Sequence, residues 1–427
     1  MASLSGSKRR PLKRLTRVLI TIVLIAIMGM VVLSLWPGLG AAVARPLRQI
    51  IGNQGVAELE TVLFTVQDTV KQVTYHLGLA EPEAPWQVAE AVPPPTPAPP
   101  APTTTPMPSP TNVIESAVSA SPGTRFPSPT PTETPAPSPT LTPTAVPWTL
   151  PAVAPFTDLD GEGVWQPYIY NQAGEVAAVR TFLLPDPERP YAITAIVAFD
   201  LTKTSLHYVL GVDEPKLADG PGGNGMIPTA DKQLDLLLAA FNGGFMATHG
   251  EYGAMSNGIT ALPAKAPYGT VAIYQNGEVQ IGEWGSDILP DGDFTSWRQN
   301  ARMVVHNGEI NDRVYNGSII TWGGNINGDI VTWRSGIGLS ADQQVLYYFA
   351  GPSISMPTLA EAMMAAGAYN GILLDINATW VHFTAFRPND SSEATMTAEP
   401  LFEEGMETHT DRYLNQSSRD FFYITAK

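Results

Sequence analysis

The sequence predicts an α+β fold: a strand-rich, mixed-sheet domain with a few helices packed on it, preceded by one transmembrane helix and a disordered stalk. Three observations carry this. Beyond residue 150, apolar strand-like runs are punctuated by turn residues. Two helix-like stretches run straight into buried strands. Before residue 150, an uncharged apolar run is followed by a long Pro/Thr/Ser run.

The elements follow in order. Residues 1–17 form a basic tail, with Lys8, Arg9, Arg10, Lys13, Arg14 and Arg17 directly ahead of the apolar run 18–36. At ~1.5 Å per residue that run is long enough to cross a ~30 Å hydrocarbon core. The flanking charge places the N-terminus in the cytoplasm and the rest outside the cell, as a single-pass membrane protein. The rival is a cleaved signal peptide with Ala42-Val43-Ala44 as its site. Residues 45–82 read as an amphipathic helix. Within it Val56, Leu59, Leu63, Val66, Val70, Val73 and Leu77 alternate steps of three and four. Such a seam suits a coiled coil that joins copies of the chain through residues 56–77, or a helix lying on lipid or on its own domain. Residues 93–150 have too few apolar groups to offset their conformational entropy, so a proline-rich extended linker is expected.

Residues 151–427 are long enough for one sizeable domain. YAITAIVAFDL and SLHYVLGV read as a pair of buried strands. Asn276-Gly277 and Asn307-Gly308 each turn a hairpin, and SGIGLS pairs with VLYYFAG around Asp342. Thr358 to Glu361 reads as a capping box that opens a helix stopped at Gly367. A second short helix is expected after Thr229, leading into the strand LDLLLAAF.

Composition narrows the function. The 427 residues include no cysteine, which excludes disulfides and thiol chemistry. A net charge of -16, with no basic cluster beyond the tail, argues against nucleic acid as a partner. No HExxH, EF-hand or Walker pattern is present. No cofactor or metal is therefore required, although calcium held by loop carboxylates stays open.

Two strand ends carry the candidate chemistry. LDLLLAAF runs into Asn242-Gly243-Gly244-Phe245, where two glycines let backbone N–H groups approach an anion or sugar. GILL runs into Asp375, followed by Asn377, Thr379, Trp380 and His382. A carboxylate buried without a partner costs several kcal/mol, so Asp375 should face a cleft or a cation, and Arg334 is the expected cation. His249 and His382 are further candidates, each weighed against a purely structural role. Glu251, Asp312 and Asp329 lie in polar loops, so no second catalytic carboxylate is identifiable.

These segments resemble the phosphodiester glycosidase family across roughly residues 234–383. The resemblance rests on Asn242-Gly243-Gly244-Phe245, Arg334-Ser335-Gly336-Ile337-Gly338, Thr358-Leu359-Ala360-Glu361, and Leu374-Asp375 with a hydroxyl at Thr379. The family's final glycine triplet is replaced here by Ile376-Asn377-Ala378. The resemblance implies a hydrolase that cleaves sugar-1-phosphate diesters at the anomeric carbon. It assigns Asp375 and Arg334 to catalysis. Asn242, Gly243, Gly244, Phe245, His249, Asn377, Thr379 and His382 are the substrate-binding candidates for that chemistry. Glycosyl phosphodiesters or envelope polysaccharide are the expected partners. The lost glycines keep open the alternative of a non-catalytic glycan- or wall-polymer-binding descendant.

Overall fold

The computed structural model describes residues 50–51, 59, 62, 64–87, 148–234, 236–316, 322, 331–388, 396–406 and 409–427. The basic tail, the apolar run 18–36 and residues 93–147 of the linker lie outside them.

Among the described residues, eighteen strands, numbered in chain order, form three sheets. The largest runs β1 (Gln166–Tyr170), β2 (Val176–Leu183), β3 (Thr194–Asp200), β14 (Val345–Ile354), β13 (Thr332–Leu339), β15 (Asn370–Ile376), β11 (Met303–His306) and β12 (Glu309–Ile310). A second runs β7 (Ile259–Leu262), β6 (Ala254–Ser256), β10 (Phe294–Gln299), β8 (Gly269–Tyr274) and β9 (Val279–Glu283). The third runs β17 (Met396–Pro400), β16 (Phe383–Pro388), β5 (Leu237–Asn242), β18 (Phe421–Ala426) and β4 (Thr204–Val209). Among the described residues, three α-helices lie between the strands, α1 (Arg313–Asn316), α2 (Met356–Ala365) and α3 (Glu403–Met406), and a further helix over residues 64–76 precedes them.

The expected mixed sheet is corrected: every strand pair within the three sheets is antiparallel. The reason lies in where α2 returns the chain. It joins β14 to β15, which run in the same direction, but β13 sits between them and pairs antiparallel with both. The expected transmembrane helix is also corrected. No helix among the described residues is long and apolar enough to cross a membrane, and residues 18–36 are not among them.

Both Asn-Gly hairpins form, as β8–β9 and β11–β12, and β13 pairs with β14 around Asp342. β3 and β4 do not pair with each other but belong to different sheets. Among the described residues between Thr229 and β5 the chain makes turns, and no helix forms. Helix α2 starts earlier than the capping box implied. Ser355 is its N-cap, with the hydroxyl accepting from the Thr358 N–H, and Pro357 occupies the first turn.

The first and third sheets face each other across aromatic side chains. Phe241 of β5 lies 4.8 Å from Tyr348 of β14 and 6.2 Å from Phe383 of β16. Phe199 of β3 and Phe422 of β18 extend the stack. On the other face of the first sheet, Leu359 and Met363 of α2 pack with Ile196, Phe349 and Leu373. This sandwich fixes the ends of β5 and β15 side by side.

Helix 64–76 lies on this domain. Asp68 meets Arg189 at 2.9 Å and the Tyr191 hydroxyl at 2.6 Å, while Lys71 donates to Ser353. Val70, Val73 and Leu77 of the heptad seam are exposed.

Candidate functional site

β5 and β15 are buried because their sequences, LLAAFN and NGILLDI, are apolar until the last turn of chain. Each releases a polar residue at its carboxyl end, and a third segment joins them there. Asn242 donates to the Ser335 hydroxyl at 2.9 Å, and the Asp375 N–H donates to the same oxygen at 3.2 Å. Three of the quoted segments therefore meet at one serine. Asn242 Oδ1 accepts from the Tyr348 hydroxyl and the His382 N–H, which completes its bonding and fixes the strand end.

Above this knot lies a cavity of about 350 Å³. Asn242, Gly243, Asp375, Thr379 and Trp380 form one side, and much of the segment from His409 to Asp420 forms the other. Asp375 is 4% exposed. Its Oδ1 accepts from the Ile376 N–H at 2.8 Å, and its Oδ2 accepts from Arg419 Nη2 at 2.5 Å. Burial pushes the carboxyl up from 3.8 to about 6, although Arg419 and the Ile376 N–H pull it down. Arg419 also donates to the Gly244 carbonyl, and its guanidinium lies 4.4 Å over the Trp380 ring.

The glycines serve a different neighbour from the one expected. A Cβ on Gly243 would fall 2.3 Å from Asp420 Oδ2, and one on Gly244 would fall 2.9 Å from Arg298 Nη2. Asp420 and Arg298 form a fully buried ion pair at 2.7 Å, with one partner just before β18 and the other within β10. The Gly244 N–H donates to Asp420 Oδ2, the Gly243 N–H to the Asp420 carbonyl, and the Phe245 N–H to Asn300. The backbone thus approaches the protein's own carboxylate.

The triplet position keeps a glycine-like turn. Asn377 has φ 84°, a left-handed conformation that asparagine tolerates better than most residues. Its side chain accepts from the Thr379 N–H, and only Thr379 and Trp380 of this loop reach the cavity. Ile376 and Ala378 are not in left-handed backbone, so glycine is not required there.

Six expected site residues do not line the cavity: Gly244 and Phe245, whose N–H groups turn to Asp420 and Asn300, Asn377, which bonds within its own loop, and Arg334, His249 and His382. Arg334 is buried on the face of β13 opposite Ser335, where its Nε donates to the Ile354 carbonyl at 3.0 Å. The cation beside Asp375 is Arg419 instead. His249, in the turn Ala247–His249, sits edge-on to Phe245 and does not line the cavity. His382 is buried beneath it, within reach of the Thr384 hydroxyl. Burial, then the charges of Arg412 and His409, lowers its pKa to about 3.

Arg419, Asp420 and Arg298 were not anticipated. A signal existed: Arg419-Asp420 opens the apolar strand FFYITA, and Arg298 interrupts the buried strand FTSWRQ. Among the described residues no cluster of three or more His, Asp or Glu is arranged to hold a metal ion.

No family model and no curated protein matches the sequence, so the resemblance drawn from the motifs has no support of that kind. Solved structures give distant likenesses. The catalytic domain of zebrafish N-acetylglucosamine-1-phosphodiester alpha-N-acetylglucosaminidase, auto-inhibited by its pro-peptide, matches with a TM-score of 0.39 and 13% identity, over 62% of this chain and 88% of that one. A hypothetical protein from Synechocystis matches with a TM-score of 0.37 and 9% identity, over 61% of this chain and 64% of that one.

Proposed function

We propose that the cavity is the active site of a hydrolase that cleaves glycosyl phosphodiesters, with Asp375 as the reacting carboxylate. The observation that supports it best is the placement of Asp375. This carboxylate is buried at a strand end and faces Arg419, while the Asp375 backbone N–H shares the Ser335 hydroxyl with Asn242. In the proposed reaction, water adds its hydroxyl to the anomeric carbon and gives its proton to Asp375. The bond from that carbon to the phosphate oxygen breaks, and a phosphomonoester leaves. Arg412, which lines the cavity, holds the phosphate. The ionised carboxylate also stabilises the oxocarbenium-like transition state.

One observation favours binding without hydrolysis: Asp375 Oδ2 is already taken by Arg419. The two readings separate in one experiment. The full chain is assayed on a panel of sugar-1-phosphate diesters beside Asp375→Asn. Hydrolysis that falls by at least ~100-fold in the variant supports catalysis. Binding of the same compounds with no turnover by the wild type supports the alternative.

A further inference from the structure

Asp420 is held in a lopsided way. Its Oδ2 accepts three hydrogen bonds, from Arg298 Nε at 2.7 Å, the Tyr208 hydroxyl at 2.9 Å and the Gly244 N–H at 3.2 Å. Its Oδ1 is buried and has no hydrogen-bond partner among the described residues. Gly243 backs the carboxylate so closely that no Cβ fits, so the group cannot swing to share its donors. The residue borders the cavity. The Nε of the adjacent Arg419 is likewise buried without a partner.

Buried carboxylate oxygens are seldom left without a donor, because the desolvation cost is then uncompensated. The missing donor has a definable chemistry. A phosphate oxygen is disfavoured beside Asp420 and Asp375, and a ligand cation is disfavoured beside Arg298 and Arg419. A neutral hydroxyl fits both bare atoms, since it donates through its hydrogen and accepts through its lone pairs. We infer that Asp420 is a specificity-determining residue whose Oδ1 accepts a hydrogen bond from a sugar hydroxyl of the ligand, with the phosphate placed away from it. This rests on the glycosyl phosphodiester reading and names which part of that ligand lies where.

The test is a calorimetric binding scan on the full chain. The 1-phosphates of glucose, galactose and mannose are titrated first. Each monodeoxyfluoro derivative of the tightest binder follows, since fluorine cannot donate. One derivative is expected to bind at least about 100-fold more weakly, because a site built to bond a hydroxyl rejects an analogue that cannot. In Asp420→Asn, whose amide can donate, that gap should fall below about tenfold. A flat scan, or an unchanged gap in the variant, overturns the inference. Should Asp420→Asn not fold, a crystal structure of the wild type with the tightest binder decides. A ligand hydroxyl about 3 Å from Oδ1 supports the inference, and a phosphate oxygen there, or nothing, overturns it. Hydrolysis of diesters with a flat scan removes only this inference. Neither hydrolysis nor binding removes the functional reading with it.

Discussion

Gly243→Ala isolates the buried ion pair without altering either charge. The new Cβ would lie 2.3 Å from Asp420 Oδ2 and 2.5 Å from its Cγ, well inside contact distance. The carboxylate must retreat by roughly 1 Å to relieve this, because carbon–oxygen contacts below ~3 Å are repulsive. That oxygen holds Arg298, Tyr208 and the Gly244 N–H, so all three bonds stretch past useful length together. Separating a buried ion pair costs about 3–5 kcal/mol. Replacing glycine with alanine returns about 0.4–1 kcal/mol through the unfolded chain. A net loss of about 2–4 kcal/mol is expected. Gly243 has no positive φ, so backbone strain does not contribute. The assay is urea unfolding of the full chain, comparing midpoints at constant slope. A variant within about 1 kcal/mol of wild type would refute the close-approach explanation.

Two further predictions concern the end of β15 and the loop after it. Asp375 has its folded pKa raised from 3.8 to about 6, so the fold disfavours the ionised form. Its favourable contribution is complete below 3.8 and is lost as pH rises through about 6, by about 3 kcal/mol in all. Unfolding measured at pH 4 and pH 7 should show this decline in wild type and not in Asp375→Asn; equal pH dependence of the two would contradict it. Asn377 occupies left-handed backbone, so Asn377→Val should cost at least about 1–2 kcal/mol and Asn377→Gly much less. Equal stabilities of the two variants would contradict the assigned conformation.

What could be read from the sequence was local. Asn276-Gly277 and Asn307-Gly308 turn hairpins wherever they sit, since the turn depends on those two residues and their neighbours. The polar ends of β5 and β15 were visible for the same reason. The pairing of Asp375 was not. Arg334 and Ser335 are adjacent, and a strand sends them to opposite faces, so a one-residue difference in facing exchanged a cation for a hydroxyl. The true cation, Arg419, is 44 positions away from Asp375, and Arg298 and Asp420 are separated by 122. Neither pairing leaves a periodic trace. Sheet direction failed likewise: α2 links parallel strands as expected of a helical crossover, but nothing in its residues announces that β13 will lie between them.

The most direct test of Asp375 as the reacting carboxylate is the pH dependence of kcat/KM for a sugar-1-phosphate diester, measured on the full chain. That quantity reports the ionisations of the free enzyme. With the carboxyl at about 6 and the ionised form reactive, the rate should rise from pH 5 to 7 with a limb near 6. Asp375→Asn should lose both the limb and at least ~100-fold of the rate. A wild-type profile flat across that range, or an Asp375→Asn variant as fast as wild type, would contradict the account.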